Sequence, residues 1–434
     1  VAVQFGTDGI RGRVGDEITD VLAYQLGHAV AVVFADQTCF VGADTRESSA
    51  QLSRAVLEGL RDGGVSAVNL GVITTPGVAV IAEQRSGVGV VISASHNPYF
   101  DNGLKVLGVG GTKLDHDTEA RVQEALNAAP IKPAPYAQYA VDPSGTSDYL
   151  ERLLGVLGQN ALSGMRLVLD CANGAASALA PELFTSLGAS VEVLHNTPDG
   201  RNINANCGST HPEQLAARVR HIGADLGLAF DGDADRLVAV DSHGLVRDGD
   251  DLMILFARDL QERGELGGAL VVTSMSNLGL RHAMREAQIE LIETAVGDRN
   301  VLMALEERDL PFGGEQSGHL IFRSLSPTGD GMLSGLLLCE LVRRKGRLGE
   351  LCDAAWVRLP QRLLNIPSAQ FNQQVVDDVT QQLVAQYELS AAQYRLFVRP
   401  SGTEPVVRVM IEAPSEQFIE SFTRLIAEGC GLTL

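Results

Sequence analysis

The sequence predicts an α/β protein built from three similar mixed α/β domains of βαβ type, followed by a smaller α+β domain at its C-terminal end. Three observations carry this. A plan of strand, polar loop, helix, glycine and strand recurs three times, with starts roughly 100–130 residues apart. At 434 residues the chain is too long for one core. Past Pro360 the plan gives way to helix, two strands and helix.

The first copy predicts a strand over 38–42, the loop Ala43-Asp44-Thr45-Arg46, an amphipathic helix over 51–62, Gly63-Gly64, and a strand over 66–70. The second predicts a strand over 166–169, Asp170-Cys171-Ala172-Asn173-Gly174, a helix through 181–186, Gly188, and a strand over 190–194. In the third, a strand over 269–273 leads into Ser274-Met275-Ser276-Asn277-Leu278-Gly279, a helix over 280–287 and a strand over 290–294. The last region predicts a helix over 372–387 and strands over 394–398 and 406–412. They are joined by Pro400-Ser401-Gly402-Thr403-Glu404-Pro405, and a helix over 415–428 with a serine N-cap follows. Pro/Ala-rich sequence over 128–135 reads as loop before a new start near Ser147, and Asp248-Gly249-Asp250 marks another boundary. The expected domains are residues 1–146, 147–248, 249–360 and 361–434.

Charge narrows the function classes. With 54 acidic against 34 basic residues, the net charge is −20. Such a surface repels nucleic acid and anionic membrane. An anionic ligand would have to be held by locally concentrated arginine, lysine and backbone amides. The six cysteines are scattered, with no Cys-x-x-Cys spacing, so buried free thiols are expected rather than a zinc site or disulfide framework. No apolar run reaches the roughly 18–20 residues of a membrane span. The opening Val-Ala-Val-Gln-Phe-Gly-Thr-Asp-Gly shows no secretory pattern, so the cytoplasm is the expected compartment.

Two motifs point to phosphoryl transfer. The apolar run over 89–92 opens into Ser93-Ala94-Ser95-His96-Asn97-Pro98, which places the Ser95 hydroxyl in a loop at a strand's end. The run over 226–230 opens into Asp231-Gly232-Asp233-Ala234-Asp235-Arg236, three carboxylates able to converge on one cation. An EF-hand needs glycine at its sixth position and glutamate at its twelfth. Arg236 and Ser242 stand there, which excludes it. A serine hydrolase is also disfavoured, because neighbouring side chains on extended backbone point apart and His96 would then be badly placed as a base for Ser95. His96 is expected to orient the loop. Gly313-Gly314-Glu315-Gln316-Ser317-Gly318-His319 gathers the polar groups that read sugar hydroxyls. Arg399-Pro400-Ser401-Gly402-Thr403-Glu404-Pro405, with Arg408 beyond it, suits a phosphate dianion. Glycine-framed Arg11 and Lys105 add further cations.

Taken in order, these motifs resemble the α-D-phosphohexomutase superfamily over essentially the whole chain. Asn206-Cys207-Gly208-Ser209-Thr210, Met275-Ser276-Asn277-Leu278-Gly279-Leu280, Val296-Gly297-Asp298-Arg299 and Gln316 look most like its bacterial phosphoglucosamine mutase branch. The resemblance implies four domains around a central cleft. It also implies reversible conversion of glucosamine 6-phosphate to glucosamine 1-phosphate, feeding UDP-N-acetylglucosamine and cell-wall synthesis. Ser95 would be a phosphoserine ligating Mg²⁺ together with Asp231, Asp233 and Asp235. Glucosamine 1,6-bisphosphate would serve as intermediate and activator. Lys105 and Arg11 would stabilise the moving phosphoryl group, and Lys105 or His319 would be the general acid/base. Glu315 and Ser317 would hold sugar hydroxyls, while Arg236, Asp298 and Arg299 help bind and orient the substrate. Arg399, Ser401, Gly402, Thr403 and Arg408 would hold the non-reacting phosphate. A homodimer is expected from the family's habit. The rivals are a phosphomannomutase or phosphoglucomutase, differing only in sugar, and a Mg²⁺-dependent sugar phosphatase. One departure stands out: the family's metal loop has glycine where this chain has Ala234. If that position needs a positive φ, alanine adds strain of about 1 kcal/mol.

Overall fold

A computed structural model describes residues 9–400 and 405–432, and contacts between backbones divide them into two units. One unit spans Val1–Ser274 and Ile292–Ala354, the other Met275–Leu291 and Ala355–Leu434.

In the first unit, the opening stretch runs β1 (Gly9–Arg13), α1 (Asp20–Val33), β2 (Cys39–Ala43), α2 (Ser49–Asp62), β3 (Ala67–Val72), α3 (Thr75–Gln84), β4 (Val88–Ile92), β5 (Asp101–Leu107) and α4 (His116–Ala128). These strands form a sheet of order β1-β5-β4-β2-β3. Strand β2 lies parallel to β3 and β4, whereas β5 is antiparallel to both β4 and β1. Every residue of β2 and β4 is buried, as expected of parallel strands covered on both faces. Leu26, Val30, Val56, Leu60 and Val122 from α1, α2 and α4 fill one face, and α3 lies over the other.

The plan then repeats. Helix α5 (Ser144–Leu154) leads into β6 (Arg166–Asp170), α6 (Ala176–Ser186), β7 (Ser190–Leu194), α7 (Glu213–Ile222), β8 (Leu226–Phe230), β9 (Leu237–Asp241) and β10 (Val246–Arg247). The order β10-β9-β8-β6-β7 reproduces the first sheet strand for strand: β6 is parallel to β7 and β8, and β9 is antiparallel to β8 and β10. The third copy has α8 (Gly249–Glu262), β11 (Ala269–Thr273), α9 (Leu278–Glu286), β12 (Glu290–Thr294), α10 (Asp298–Glu307), β13 (Phe312–Gly314), β14 (Leu320–Phe322), α11 (Gly331–Lys345) and α12 (Leu348–Ala355). Its sheet is β12-β11-β13-β14, with β13 parallel to β11 and antiparallel to β14. Asp248 anchors α8 with a reciprocal capping box to Asp251, which explains why the chain turns sharply there.

In the second unit, β15 (Gln361–Pro367), α13 (Gln373–Gln386), β16 (Arg395–Pro400), β17 (Val406–Glu412) and α14 (Glu416–Gly429) form an antiparallel sheet β15-β17-β16 beside two helices. The predicted serine cap is present: Ser415 accepts a hydrogen bond from the Phe418 amide. Phe418, Phe422 and Ile426 meet Val409 and Ile411 in its core. Helix α9 belongs to this unit, its first amide donating to buried Glu412 at 3.1 Å.

Candidate active site

The repeat explains the site. In each of the three sheets a parallel strand turns back into an antiparallel neighbour, and that connection carries a sequence motif. Residues 93–100 join β4 to β5, residues 231–236 join β8 to β9, and residues 315–319 join β13 to β14. Small residues follow β4 at once, Ser93-Ala94-Ser95, whereas Asp231 and Glu315 follow β8 and β13 and the turns there contain Gly232 and Gly318.

Ser95 sits at φ +52°, in the left-handed region, with its amide donating to Ser93 Oγ at 2.9 Å. Its hydroxyl donates to Asp231 Oδ2 at 2.6 Å. Asp231, Asp233 and Asp235 are all buried and present carboxylate oxygens within 4.8 Å of one another. Asp233 Oδ2 accepts from Thr75 Oγ1 and from Lys105 Nζ, each at 2.6 Å. Lys105 also lies 3.7 Å from Asp235. This leaves Asp233 Oδ1 and Asp235 Oδ1 buried with no hydrogen-bond partner among the described residues. An all-oxygen donor set with unsatisfied buried carboxylate oxygens fits a hard divalent cation.

The surrounding backbone favours this anionic cluster. The carbonyls of Gly232, Asp233 and Ala234 accept hydrogen bonds from the amides of Ala175, Thr75 and Gly331, at 2.8, 3.0 and 3.0 Å. These donors stand at the N-terminal ends of α6, α3 and α11, one from each repeat. Three positive helix ends thus meet the backbone of the loop that bears the aspartates. Without a cation the charges still divide: burial and its two acidic neighbours push Asp231 well above the carboxylate range. For Asp235, burial opposes ionisation, but Lys105 and His319 hold it well below that range.

His319 is buried, with Nδ1 3.7 Å from Asp235 and Nε2 3.5 Å from Asp298. The Gly329 amide donates to Nε2 at 3.2 Å. Burial alone would lower its pKa, but the Asp298 and Asp235 carboxylates raise it to about 8. Asp298 pairs with Lys113 at 2.8 Å. Glu315 is buried and accepts from the Gly297 amide at 3.0 Å; burial raises its pKa. Ser317 Oγ is buried without a hydrogen-bond partner among the described residues. Arg236 lies beside Asp235, and Arg11 is exposed on β1 opposite Gly103 in register.

The structure thus brings Ser95, the three aspartates, Lys105, Arg236, His319, Glu315 and Asp298 into one region of the first unit. It corrects the argument about His96. Because Ser95 is left-handed rather than extended, the two side chains do not point apart, and His96 Nδ1 lies 3.1 Å from Ser95 Oγ. Burial, reinforced by the Arg236 and Arg11 charges, lowers the His96 pKa to about 4, so its imidazole is neutral at pH 7. Arg299 is buried and pairs with Glu119 of α4 at 2.6 Å. The Gln316 amide donates to buried Asp250 at 3.0 Å. Ala234 has φ +56°, so the conditional strain at that position is real. In the second unit, Arg399 and Arg408 stand directly opposite one another on β16 and β17. Ser401, Gly402 and Thr403 lie outside the described residues. Sequence reasoning missed Thr75, Lys113, Arg46 and Asn204. The threonine run Thr74-Thr75 before Pro76 signals only a helix start, for which Thr74 is indeed the cap.

The phosphoglucomutase/phosphomannomutase models for alpha/beta/alpha domains I, II and III match residues 2–130, 147–244 and 248–359, and the C-terminal domain model matches 374–428. A phosphoglucosamine mutase of Desulforudis audaxviator is 44% identical over 98% of this chain and 98% of its own. The chain belongs to the phosphoglucosamine mutase family. A second relative of that name, from Rhodococcus opacus, is 45% identical over 94% of this chain and 95% of its own. Among solved structures, a phosphoglucomutase/phosphomannomutase family protein from Burkholderia thailandensis matches with TM-score 0.80 and 26% identity, covering 99% of this chain and 98% of that one. Membership makes the protein an enzyme of the isomerase class. No helix of the described residues is long and apolar enough to cross a membrane.

Proposed function

We propose that this protein interconverts glucosamine 6-phosphate and glucosamine 1-phosphate through a phosphoserine at Ser95 and glucosamine 1,6-bisphosphate. One observation carries the reading: a serine hydroxyl 2.6 Å from the first of three buried, convergent aspartates. Ser95, Asp231, Asp233 and Asp235 would hold Mg²⁺. When bound, the cation supplies charge neutralisation at the transferring phosphoryl group and improves Ser95 as a leaving group.

The rest falls to the chain's own groups. The Oγ–P bond of phosphorylated Ser95 breaks as a hydroxyl of the sugar monophosphate forms a new O–P bond, and that hydroxyl's proton passes to His319 in its neutral form, because Lys105, whose burial is outweighed by the Asp233 and Asp235 carboxylates, stays protonated. After the bisphosphate turns, the same groups return the other phosphoryl group to Ser95 and give the proton back. Lys105, buried against Asp233, would act as a fixed cation near the transferring phosphoryl group, with Arg11 and Arg236 adding positive charge. Glu315, Ser317 and Asp298 would hold sugar hydroxyls, and Arg399 and Arg408 the non-reacting phosphate. Arg299, paired with Glu119, would act by fixing the start of α10. Six buried free cysteines support a reducing, cytoplasmic setting.

The test is isomer formation from glucosamine 6-phosphate with a trace of sugar bisphosphate, run beside glucose and mannose phosphates. The expected result is preference for the amino sugar, no net phosphate release, phosphate mapped to Ser95, and loss of turnover in Ser95→Ala. A fully active Ser95→Ala variant overturns the mechanism. Equal or greater rates on mannose or glucose phosphates overturn the substrate, and stoichiometric phosphate release marks a phosphatase.

A further inference from the structure

Ser95 is a left-handed, buried, non-glycine residue, so something must hold its loop in place. Two carbonyls define that loop, those of Ser95 and Asn97, and the same two donors reach both. Arg46 Nη2 donates to Ser95 O at 3.2 Å and to Asn97 O at 2.5 Å. Asn204 Nδ2 donates to Ser95 O at 2.9 Å and to Asn97 O at 3.1 Å. Arg46 is itself fixed by Asp44 and belongs to the same sheet's loops as Ser95. Asn204 comes from the second repeat.

The backbone of Asn204 ties its clamp to the metal loop. Its amide donates to Ala172 O at 2.9 Å. Three residues on, the Ala175 amide donates to Gly232 O at 2.8 Å. One short segment, residues 172–175, is therefore hydrogen-bonded both to Asn204, whose side chain grips the Ser95 loop, and to the loop that bears Asp231. Between them Gly232 packs against Ser95 O so closely that a Cβ there would overlap it. Asn204 suits its position, since its φ of +57° is one that asparagine tolerates.

We infer that Asn204 is a positioning residue for phosphoryl transfer: it sets the register of the Ser95 loop against the metal-binding loop, and so the placement of Ser95 Oγ relative to Asp231. The inference rests on the reading of Ser95 as the phosphate carrier. Asn204 touches neither the reacting oxygen nor the aspartates; its contacts are to carbonyls behind them.

The experiment compares Asn204→Gly, which keeps the left-handed backbone and removes the amide, with Asn206→Gly. Asn206 has φ +53° in the same loop, is exposed, and donates nothing to the Ser95 loop. Measured quantities are kcat, KM, the melting temperature, and the single-turnover rate at which sugar bisphosphate phosphorylates Ser95, followed by mass spectrometry. Misplacing the acceptor by about 1 Å predicts a kcat and phosphorylation rate roughly 10- to 100-fold lower in Asn204→Gly, with KM unchanged. Asn206→Gly should match the parent. Asn204→Asp, which turns the donor into an acceptor facing two carbonyls, should be slower still than Asn204→Gly. Rates within twofold of the parent for Asn204→Gly overturn the inference. So does a raised KM at unchanged kcat, or a lower melting temperature with unchanged rates. Ser95→Ala separates the two claims: if it stays active, the carrier reading has failed rather than the placement of Asn204.

Discussion

Thr75→Val isolates how one carboxylate of the proposed metal site is aimed. Valine keeps the shape and the β-branch, so no cavity opens, and the backbone bond from residue 75 to Asp233 O survives. Only the 2.6 Å hydrogen bond from Thr75 Oγ1 to Asp233 Oδ2 is lost. A hydrogen bond to a charged group contributes about 1.5–3 kcal/mol, and here both partners are buried. Lys105 remains on the same oxygen at 2.6 Å and takes up part of that loss. The consequence is rotational: with one of two anchors gone, the carboxylate no longer holds Oδ1 toward the cation. Supporting residues of this kind typically change metal affinity by about 10- to 100-fold. The assay is mutase rate against Mg²⁺ concentration, with urea unfolding in parallel. The concentration for half-activation should rise by at least tenfold, with kcat largely recovered at saturating Mg²⁺. A folded Thr75→Val enzyme with an unchanged Mg²⁺ requirement would refute the reasoning, because Asp233 would then not depend on its hydroxyl partner.

Gly174→Ala places a Cβ against the backbone of Gly232, which cannot swing aside, so stability should fall by about 1–3 kcal/mol with a weakened Mg²⁺ response, read from melting curves with and without the ion. Ala234→Gly relieves about 1–2 kcal/mol of left-handed strain. It also loses a buried methyl worth about 0.8 kcal/mol and gains unfolded-chain entropy costing about 0.4–1 kcal/mol. The net shift by denaturant titration should therefore stay within about 1 kcal/mol of zero. Hydrogen bonding from Lys132 holds Asp62 down to a pKa of about 2. A depressed carboxyl stabilises the fold above its unfolded value of about 4, and that contribution fades as pH falls. The stability gap between wild type and Asp62→Asn should thus be full at pH 6 and close between pH 4 and about 2; a gap that widens on acidification would contradict it.

Much of this was legible because the signals were periodic or chemically redundant. Alternate aspartates after a buried apolar run announce convergent carboxylates, and β7, β11, β12 and β17 begin and end where their apolar patterns do. Long-range partners were not legible. The role of Thr75 depends on Asp233, 158 positions away, and that of Asn204 on Ser95, 109 positions away. Nothing local distinguishes either from an ordinary helix start or polar loop. His96 was misjudged for a different reason: one backbone dihedral at Ser95 reverses which side chains are neighbours, and a serine does not advertise a positive φ. The short antiparallel strands β10 and β14 were lost in flanking glycines and charges.

The three helix ends that meet the metal loop have a consequence for dissection of the chain. Each repeat donates one amide to a loop that only the second repeat owns, so none of the three can be cut away without stripping a support from the others' chemistry. Limited proteolysis between the repeats should therefore give fragments that regain turnover only when recombined, and an isolated second repeat should grip its cation feebly.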